Sequence, residues 1–224
     1  RQQYVYLANF DWYNYLYDDS RPTWDHNINI KGGTKALSYM VSGRYYQQKG
    51  VNRIEPDMFK SYNFRVKLQA EIKPWLTIAS NTKFFQSNYK YYGYEDEYNN
   101  FRKPTLHALA SFVPVNPDGT AVSHTSMTQS STHYLMDGYS AMMQKGKSFG
   151  NKKTQEITTT FEATFKLHKN FNVKADFSYT QGYLHNDYRS VNVQYSQYPG
   201  EVMTEPEGSF PNKYKEVVWD QNYY

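Results

Sequence analysis

The chain contains no cysteine, and its aliphatic side chains are scarce. The absence of cysteine excludes a disulfide scaffold and thiolate metal or redox chemistry. Leu, Ile, Val and Phe make up about 19% of the 224 residues. This fraction is just below the roughly 20% under which a chain often cannot build a packed core. Disorder also requires high net charge and few aromatic residues, whereas this chain has a net charge of +4 and 18% aromatic residues. The composition therefore disfavours both a disordered chain and a soluble α/β enzyme.

Long apolar runs and charge clusters are also missing. No stretch approaches the roughly 18 apolar residues of a membrane-spanning helix. The first residues carry no charged and then apolar leader, so we expect a mature, trimmed or partial chain. No basic run is longer than Lys152-Lys153, which disfavours nucleic acid as a partner. The six histidines lack zinc-site spacing and no Gly-x-Ser-x-Gly motif occurs, so we predict no metal, no cofactor and no catalytic residue.

What the chain does contain is alternation of apolar and polar residues with a period of two. From Tyr62 to Ile72, every second residue is apolar and the intervening residues are polar, without a break over 11 positions. Side chains alternate faces in a strand, so this pattern predicts a strand with one apolar and one polar face. The same pattern predicts six strands at about 24–32, 36–46, 61–72, 76–88, 155–167 and 171–182.

The expected connections alternate between short and long. Short turns join the first two, the middle two and the last two strands: Gly32-Gly33-Thr34-Lys35, Lys73-Pro74-Trp75 and His168-Lys169-Asn170. Long loops are expected at about 47–60, 89–154 and 183–215. Within the longest, Asn116-Pro117-Asp118-Gly119 predicts a turn. Short turns at one end and long extracellular loops at the other are typical of an outer-membrane β-barrel.

Strand length and the apolar face favour an antiparallel transmembrane β-barrel. Tilted membrane strands need about 9–11 residues, more than the usual 5–6 of soluble strands. The apolar faces contain no Lys, Arg, Asp or Glu, and tyrosines such as Tyr45, Tyr62 and Tyr183 lie towards the long-loop ends, as in an interfacial aromatic girdle. Two alternatives remain open. One is a passive outer-membrane porin, and the other is a soluble glycan-binding β-domain with one wet sheet face.

Several segments resemble the SusC/RagA-type TonB-dependent outer-membrane transporters. They occur in the family's order and with similar spacing, and they cover about residues 11–85: DW at 11–12, WDHNINIKGG at 24–33, YMVSGRYYQQKGV at 39–51, YNFRVKL at 62–68 and WLT at 75–77. Residues 155–182 fit this family only as generic barrel strands. No single segment is specific to this family. The Gly32-Gly33 hairpin followed by the strand that contains Arg65 is moderately specific, because the order and the spacing both agree with the family.

The resemblance implies that residues 1–224 form part of one transmembrane barrel domain of about 22 strands. It implies a plug domain and a TonB box, neither of which is found in this chain and both of which would precede Arg1. It further implies a Gram-negative outer membrane, a SusD-like surface lipoprotein as a lid, and TonB-powered import of oligosaccharides or peptides. Under this interpretation the protein is a transporter and not an enzyme.

Two sets of residues are candidates for a site. The first lies on the rim of the long loop, where aromatic rings and carboxylates would contact a substrate, or would simply pack against the loop or the lid: Tyr91, Tyr92, Tyr94, Glu95 and Asp96. The second lies on the polar strand faces, where charged side chains would line the lumen and contact either a plug or a substrate: Arg65, Lys67, Glu71, Glu162 and Lys166. Adjacent acids in a loop do not specify the facing carboxylates of a glycosidase.

Overall fold

The computed structural model describes residues 6–93, 110–111, 113–122, 147–191, 194–196, 198–204 and 213–223. Within these residues the chain forms one short helix, α1 (Trp12–Leu16), and nine strands: β1 (Thr23–Gly33), β2 (Leu37–Lys49), β3 (Met58–Lys73), β4 (Leu76–Tyr92), β5 (Phe149–His168), β6 (Phe171–Ser190), β7 (Gln194–Tyr195), β8 (Met203–Thr204) and β9 (Lys213–Tyr223). The class is therefore all-β, as the alternation predicts.

Seven strands form one sheet in the order β1-β2-β3-β4-β5-β6-β9. Every neighbouring pair is antiparallel. β1 and β9 are the two edges of this sheet, and β7 and β8 form a separate two-stranded ribbon. The first six strands follow one another in both sequence and space, which is the up-and-down order of a barrel wall.

The six predicted strands are present as β1 to β6, but most are longer than predicted at the long-loop end. There the apolar-face positions become polar, for example Gln47, Lys60, Asn88 and Lys153, while backbone pairing continues. Alternation therefore ends before the strand does. The loop expected at 47–60 shortens to 50–57, and strand residues occupy both ends of the range 89–154, since β4 ends at Tyr92 and β5 begins at Phe149.

The loop expected at 183–215 is wrong at both ends. β6 continues to Ser190, β7 and β8 lie within the range, and β9 begins at Lys213. The sequence of β9 places Val217, Val218 and Trp219 side by side, so it shows no clean period of two. Residues 213–223 form a strand by pairing with β6, although their own sequence pattern does not predict one.

The first tight turn depends on a glycine. Residues 34–36 connect β1 to β2, and the amide of Thr34 donates to the carbonyl of Leu37 at 2.6 Å. Gly33 has φ +153°, and a Cβ there would lie 2.2 Å from the Leu37 carbonyl oxygen. Only glycine fits this position without displacing the backbone of β2.

Helix α1 lies against the connection between β2 and β3. Trp12 and Leu16 are buried. The amide of Asp18 donates to the Val51 carbonyl, and the amide of Arg53 donates to the Leu16 carbonyl, both at 2.8 Å. The Arg53 guanidinium donates to the Asp18 carboxylate at 2.9 Å, which holds the pKa of Asp18 below its ordinary value. These contacts attach the segment before β1 to the long-loop end of the sheet.

The sheet has two chemically different faces and no buried layer between them. Directly paired residues share a face, so one register row forms the centre of the apolar face: Ile28, Gly43, Phe64, Phe84 and Ile157. The adjacent row lies on the polar face: Asn29, Ser42, Arg65, Lys83 and Thr158. The buried apolar residues of the described chain lie in connections or near the long-loop end: Trp12, Leu16, Tyr91, Ala121, Val122, Tyr188 and Tyr195. In the described part of the chain, no helix has the length and apolar character needed to cross a membrane.

Candidate functional site

The apolar face is open to its surroundings along the central parts of the strands. Ile28 is 62% exposed and Phe161 54% exposed, and large apolar side chains on β1 to β6 are similarly uncovered. Soluble monomers rarely expose a contiguous apolar surface of this extent. On β3 the band runs from Tyr62 to Ile72, a ten-residue step of about 33 Å along the strand. At a strand tilt of about 40° this gives a band about 25 Å tall, which is the height of a lipid-facing belt.

The turns of successive hairpins are staggered in one direction. Leu37, the first residue of β2, pairs with Ala70, and β3 continues three residues further to Lys73. Leu76, the first residue of β4, pairs with Phe165, and β5 again continues three residues further to His168. Three residues over two strands correspond to about 10 Å along the strands and about 10 Å across them. If the turns lie in one plane, the strands are tilted by about 45°, as barrel closure requires.

Two pairs of polar side chains on the apolar face bind each other. The hydroxyls of Thr82 and Thr159 lie 3.2 Å apart in the middle of the band. At its long-loop margin, the Gln155 amide donates to the Gln86 carbonyl oxygen at 2.7 Å. Mutual pairing satisfies groups that lipid cannot. The described band on β1 to β6 carries no Lys, Arg, Asp or Glu.

All five residues expected to line a lumen share the polar face. Arg65 pairs by register with Lys83, Lys67 with Asn81, and Glu71 with Thr77. On the next strands Glu162 pairs with Asp176, and Lys166 with Asn172. The register of the sheet therefore brings these five side chains to one surface.

Several polar-face side chains are held by specific contacts. Arg44 donates to both carboxylate oxygens of Asp25, at 2.8 and 2.6 Å, and this fork geometry fixes both groups. The ammonium of Lys174 lies 2.7 Å from a carboxylate oxygen of Glu162. Both pairs are largely exposed, so they orient side chains more than they stabilise the fold.

Four aromatic rings on the polar face were not recognised as site candidates in the sequence: Tyr46, Phe59, Phe85 and Tyr89. They interrupt the polar half of the alternation, and that interruption is the signal that could have found them. Tyr46, Phe59 and Tyr89 line a groove of about 520 Å³ together with Lys152 and Arg21.

A second groove of about 480 Å³ lies next to the first, towards the tight turns. Arg44, Asn63, Arg65, Lys83 and Phe85 line it. The two grooves together place aromatic rings beside cationic groups on the same surface. That arrangement suits a ligand with both apolar and anionic parts.

The residues expected on the loop rim have different positions. Tyr91 and Tyr92 belong to β4 and not to a loop. Tyr91 is 2% exposed, with its ring packed over Gly150, which leaves little of the ring open to a ligand. Tyr92 faces the opposite side, with the Lys90 ammonium 5.1 Å from its ring centroid. Tyr94, Glu95 and Asp96 lie outside the described residues.

No group of three or more His, Asp or Glu side chains in the described ranges is arranged to hold a metal ion.

Comparison with solved structures identifies proteins of similar fold. The chain matches the RagAB peptide transporter with a TM-score of 0.63 and 18% identity, over 84% of this chain and 21% of the matched chain. It matches the RagAB peptide importer in the closed-closed state with a TM-score of 0.57 and 15% identity, over 99% of this chain and 31% of the other. The open-open state gives 0.56 and 16% identity, over 96% and 30%.

At this level of identity the likeness is one of fold. No protein-family profile matches the sequence, and no curated protein matches it either. The chain spans between about a fifth and a third of the solved chains that it matches. Its antiparallel sheet therefore has the fold of part of the longer chains that it matches.

Proposed function

We propose that residues 1–224 form part of the wall of a TonB-dependent outer-membrane transporter. The observation that carries this proposal is the exposed apolar band opposite a polar, charged face of the same strands. In lipid the apolar face would contact acyl chains and the polar face would line a water-filled lumen. An open sheet would leave unpaired N–H and C=O groups at the β1 and β9 edges, each at a cost of several kcal/mol, so further strands would close the wall.

The transport role is supported by the fold likeness to the RagAB peptide transporter. By analogy, the protein would sit in the outer membrane of a Gram-negative bacterium and import peptides or oligosaccharides, with energy delivered through TonB. A SusD-like surface lipoprotein would cover the long-loop end, where α1 and the long connections lie. The protein would have no catalytic role.

Neighbouring residues with opposite orientation test the lipid and lumen assignments. Phe161 lies on the apolar face and Thr160 on the polar face of β5. We expect Phe161→Arg and Val66→Arg to block outer-membrane assembly, because an arginine facing lipid at mid-depth costs about 2–4 kcal/mol. Thr160→Arg and Lys67→Gln should assemble at close to the normal level. The measurement is the amount of heat-modifiable protein in isolated outer membranes.

Equal sensitivity of both faces would contradict the assignment of one face to lipid. Uptake measurements with Thr160→Arg and the unaltered protein then separate active from passive transport. Uptake that stops when TonB is deleted supports the proposal. Uptake that continues without TonB identifies a passive porin instead.

A further inference from the structure

Two cations face each other across neighbouring strands on the polar face. Arg65 of β3 is the register partner of Lys83 of β4. The Cβ atoms of directly opposite residues lie about 4.5–5.5 Å apart, and like charges in that relation destabilise a sheet. Neither side chain forms an ion pair with another described residue. Within the described residues, no ion pair therefore holds either of these two cations.

The guanidinium of Arg65 is oriented but not saturated. Its Nε donates to the side-chain oxygen of Asn81 at 2.8 Å. No described residue accepts from its two terminal nitrogens. Arginine presents these nitrogens as a planar fork that matches the two oxygens of a carboxylate. The Lys83 side chain is exposed beside it and adds a second positive charge.

The acidic residues on the same surface do not neutralise this pair. Both carboxylate oxygens of Asp25 already accept hydrogen bonds from Arg44, one from Nε at 2.8 Å and one from Nη2 at 2.6 Å. Glu156 lines the same groove as Arg65 and Lys83, pairs by register with Phe85 in the next polar-face row towards the long loops, and is exposed. No ion pair joins Glu156 to Lys83 among the described residues.

We infer that Arg65 and Lys83, which line the groove of about 480 Å³, form a carboxylate subsite for the transported ligand. Asn63 and Phe85 line the same groove and supply an amide and an apolar ring beside the carboxylate. The ligand is an oligomer with a carboxylate and an apolar part, such as a linear peptide with a free C-terminus or an oligouronate. This inference rests on the proposed function, because it requires the polar face to line a ligand path.

Binding measurements on the whole protein that carries this sequence, purified in detergent, test the subsite. The probes are tetra-alanine and its C-terminal amide, and trigalacturonate and maltotriose, so that each carboxylate probe has a neutral counterpart. We expect Arg65→Gln and Lys83→Gln each to weaken binding of a carboxylate probe about tenfold or more, because one charge-assisted contact is lost. Binding of the neutral counterparts should not change. The pair of probes that responds identifies the source of the carboxylate.

Lys60→Gln is the matched control, since it removes one positive charge from β3 on the opposite face. It should leave all four affinities unchanged. Equal weakening of neutral and anionic probes, or no measurable binding of either carboxylate probe to the unaltered protein, would overturn the subsite.

Thermal unfolding without ligand separates a ligand site from an anchor for an acidic segment of the protein itself. A ligand site predicts that Lys83→Gln unfolds at the same or a higher temperature, because a repulsion is removed. A lower unfolding temperature would overturn the inference in favour of an internal partner. If only the subsite is wrong, Phe161→Arg should still block outer-membrane assembly while Thr160→Arg does not. If the proposed function is wrong, this difference in assembly should be absent.

Discussion

Two glycines within strands make room for tyrosine rings on the neighbouring strand. Gly32 is the register partner of Tyr39, and Gly150 is the partner of Tyr91. A Cβ on Gly32 would lie 2.4 Å from the Tyr39 hydroxyl oxygen, and one on Gly150 would lie 2.2 Å from Cζ of Tyr91. Glycine weakens a strand when nothing covers it, and an aromatic ring packed over it compensates. Each glycine is thus required by the ring that lies across it.

Replacing Gly150 by alanine tests this packing at the scale of one methyl group. We expect Gly150→Ala to destabilise the protein by about 1–3 kcal/mol, because the Tyr91 ring must leave its position. Gly43→Ala is the matched control, since its Cβ would lie 3.5 Å from Cγ2 of Ile28, an ordinary contact. That control should be neutral or stabilising by about 0.4–1 kcal/mol through the unfolded chain.

The measurement is the unfolding temperature in detergent, with the double variant Gly150→Ala/Tyr91→Ala added. Removing the ring should make the alanine at position 150 harmless, so the two changes should not be additive. Additive losses would mean that the ring is not what excludes a side chain at Gly150.

Among the connecting elements, the segment 113–122 meets the ribbon of β7 and β8 through a buried asparagine and through backbone pairing of Val122 with Ser196. The Asn116 amide nitrogen donates to the Thr120 hydroxyl at 2.9 Å and to the Ser196 carbonyl at 3.2 Å. Its oxygen accepts from the Tyr6 hydroxyl at 2.6 Å. The turn predicted at Asn116–Gly119 is confirmed, with the Gly119 amide donating to the Asn116 carbonyl at 2.9 Å. One side chain therefore links three segments that are distant in sequence.

We expect Asn116→Ala to loosen this assembly without unfolding the sheet. The variant leaves the partners on Tyr6, Thr120 and Ser196 without their bonds, at a cost of about 1–3 kcal/mol each where they stay buried. Hydrogen exchange should accelerate at Val122 and Ser196 and stay slow in β2 to β5. Asn172→Ala, at an exposed strand position, is the control and should change neither. Faster exchange throughout the sheet would show that the assembly is not a separate unit.

At the scale of the whole described sheet, neither face is covered by a packed core. The described sheet has an exposed apolar face, a polar face and two open edges, and its buried residues collect near the long loops. The low content of aliphatic residues follows from this shape, since each strand needs apolar side chains on one face only. The stagger of three residues per hairpin further adapts the sheet to a tilted, curved arrangement.

Cysteine accessibility tests the wall as a whole, because the chain has no cysteine of its own. We expect a membrane-impermeant thiol reagent to label Ser42→Cys and Ser178→Cys on the polar face. It should not label Val41→Cys and Phe177→Cys, because under the proposed function lipid would cover their face and exclude water. Labelling is followed by mass shift in intact outer membranes, with detergent-solubilised, denatured protein as the control for reactivity. Labelling without regard to face would contradict a single lipid-facing surface.

Alternation alone is enough to assign the six central strands and the face on which each of their residues lies. The segment from Tyr62 to Ile72 predicts both the strand and the face of each residue, because a period of two depends only on the local backbone. The same reasoning places Arg65, Lys67, Glu71, Glu162 and Lys166 on one face, and the sheet confirms that placement. It does not find β9 or the extensions of β4 to β6, because apolar and polar residues no longer alternate there with a period of two.

Register is what the amino-acid order leaves open. Whether Arg65 lies beside Lys83, or Tyr91 over Gly150, depends on hydrogen bonds between segments up to 59 residues apart in the chain. A shift of one residue would move every side chain of a strand to the other face. A given cross-strand pair therefore forms only when the register of the two neighbouring strands is fixed. The amino acids thus determine which face of each strand tolerates lipid. The pairing of the strands determines which charges and rings meet on the other face, because those contacts exist only between strands.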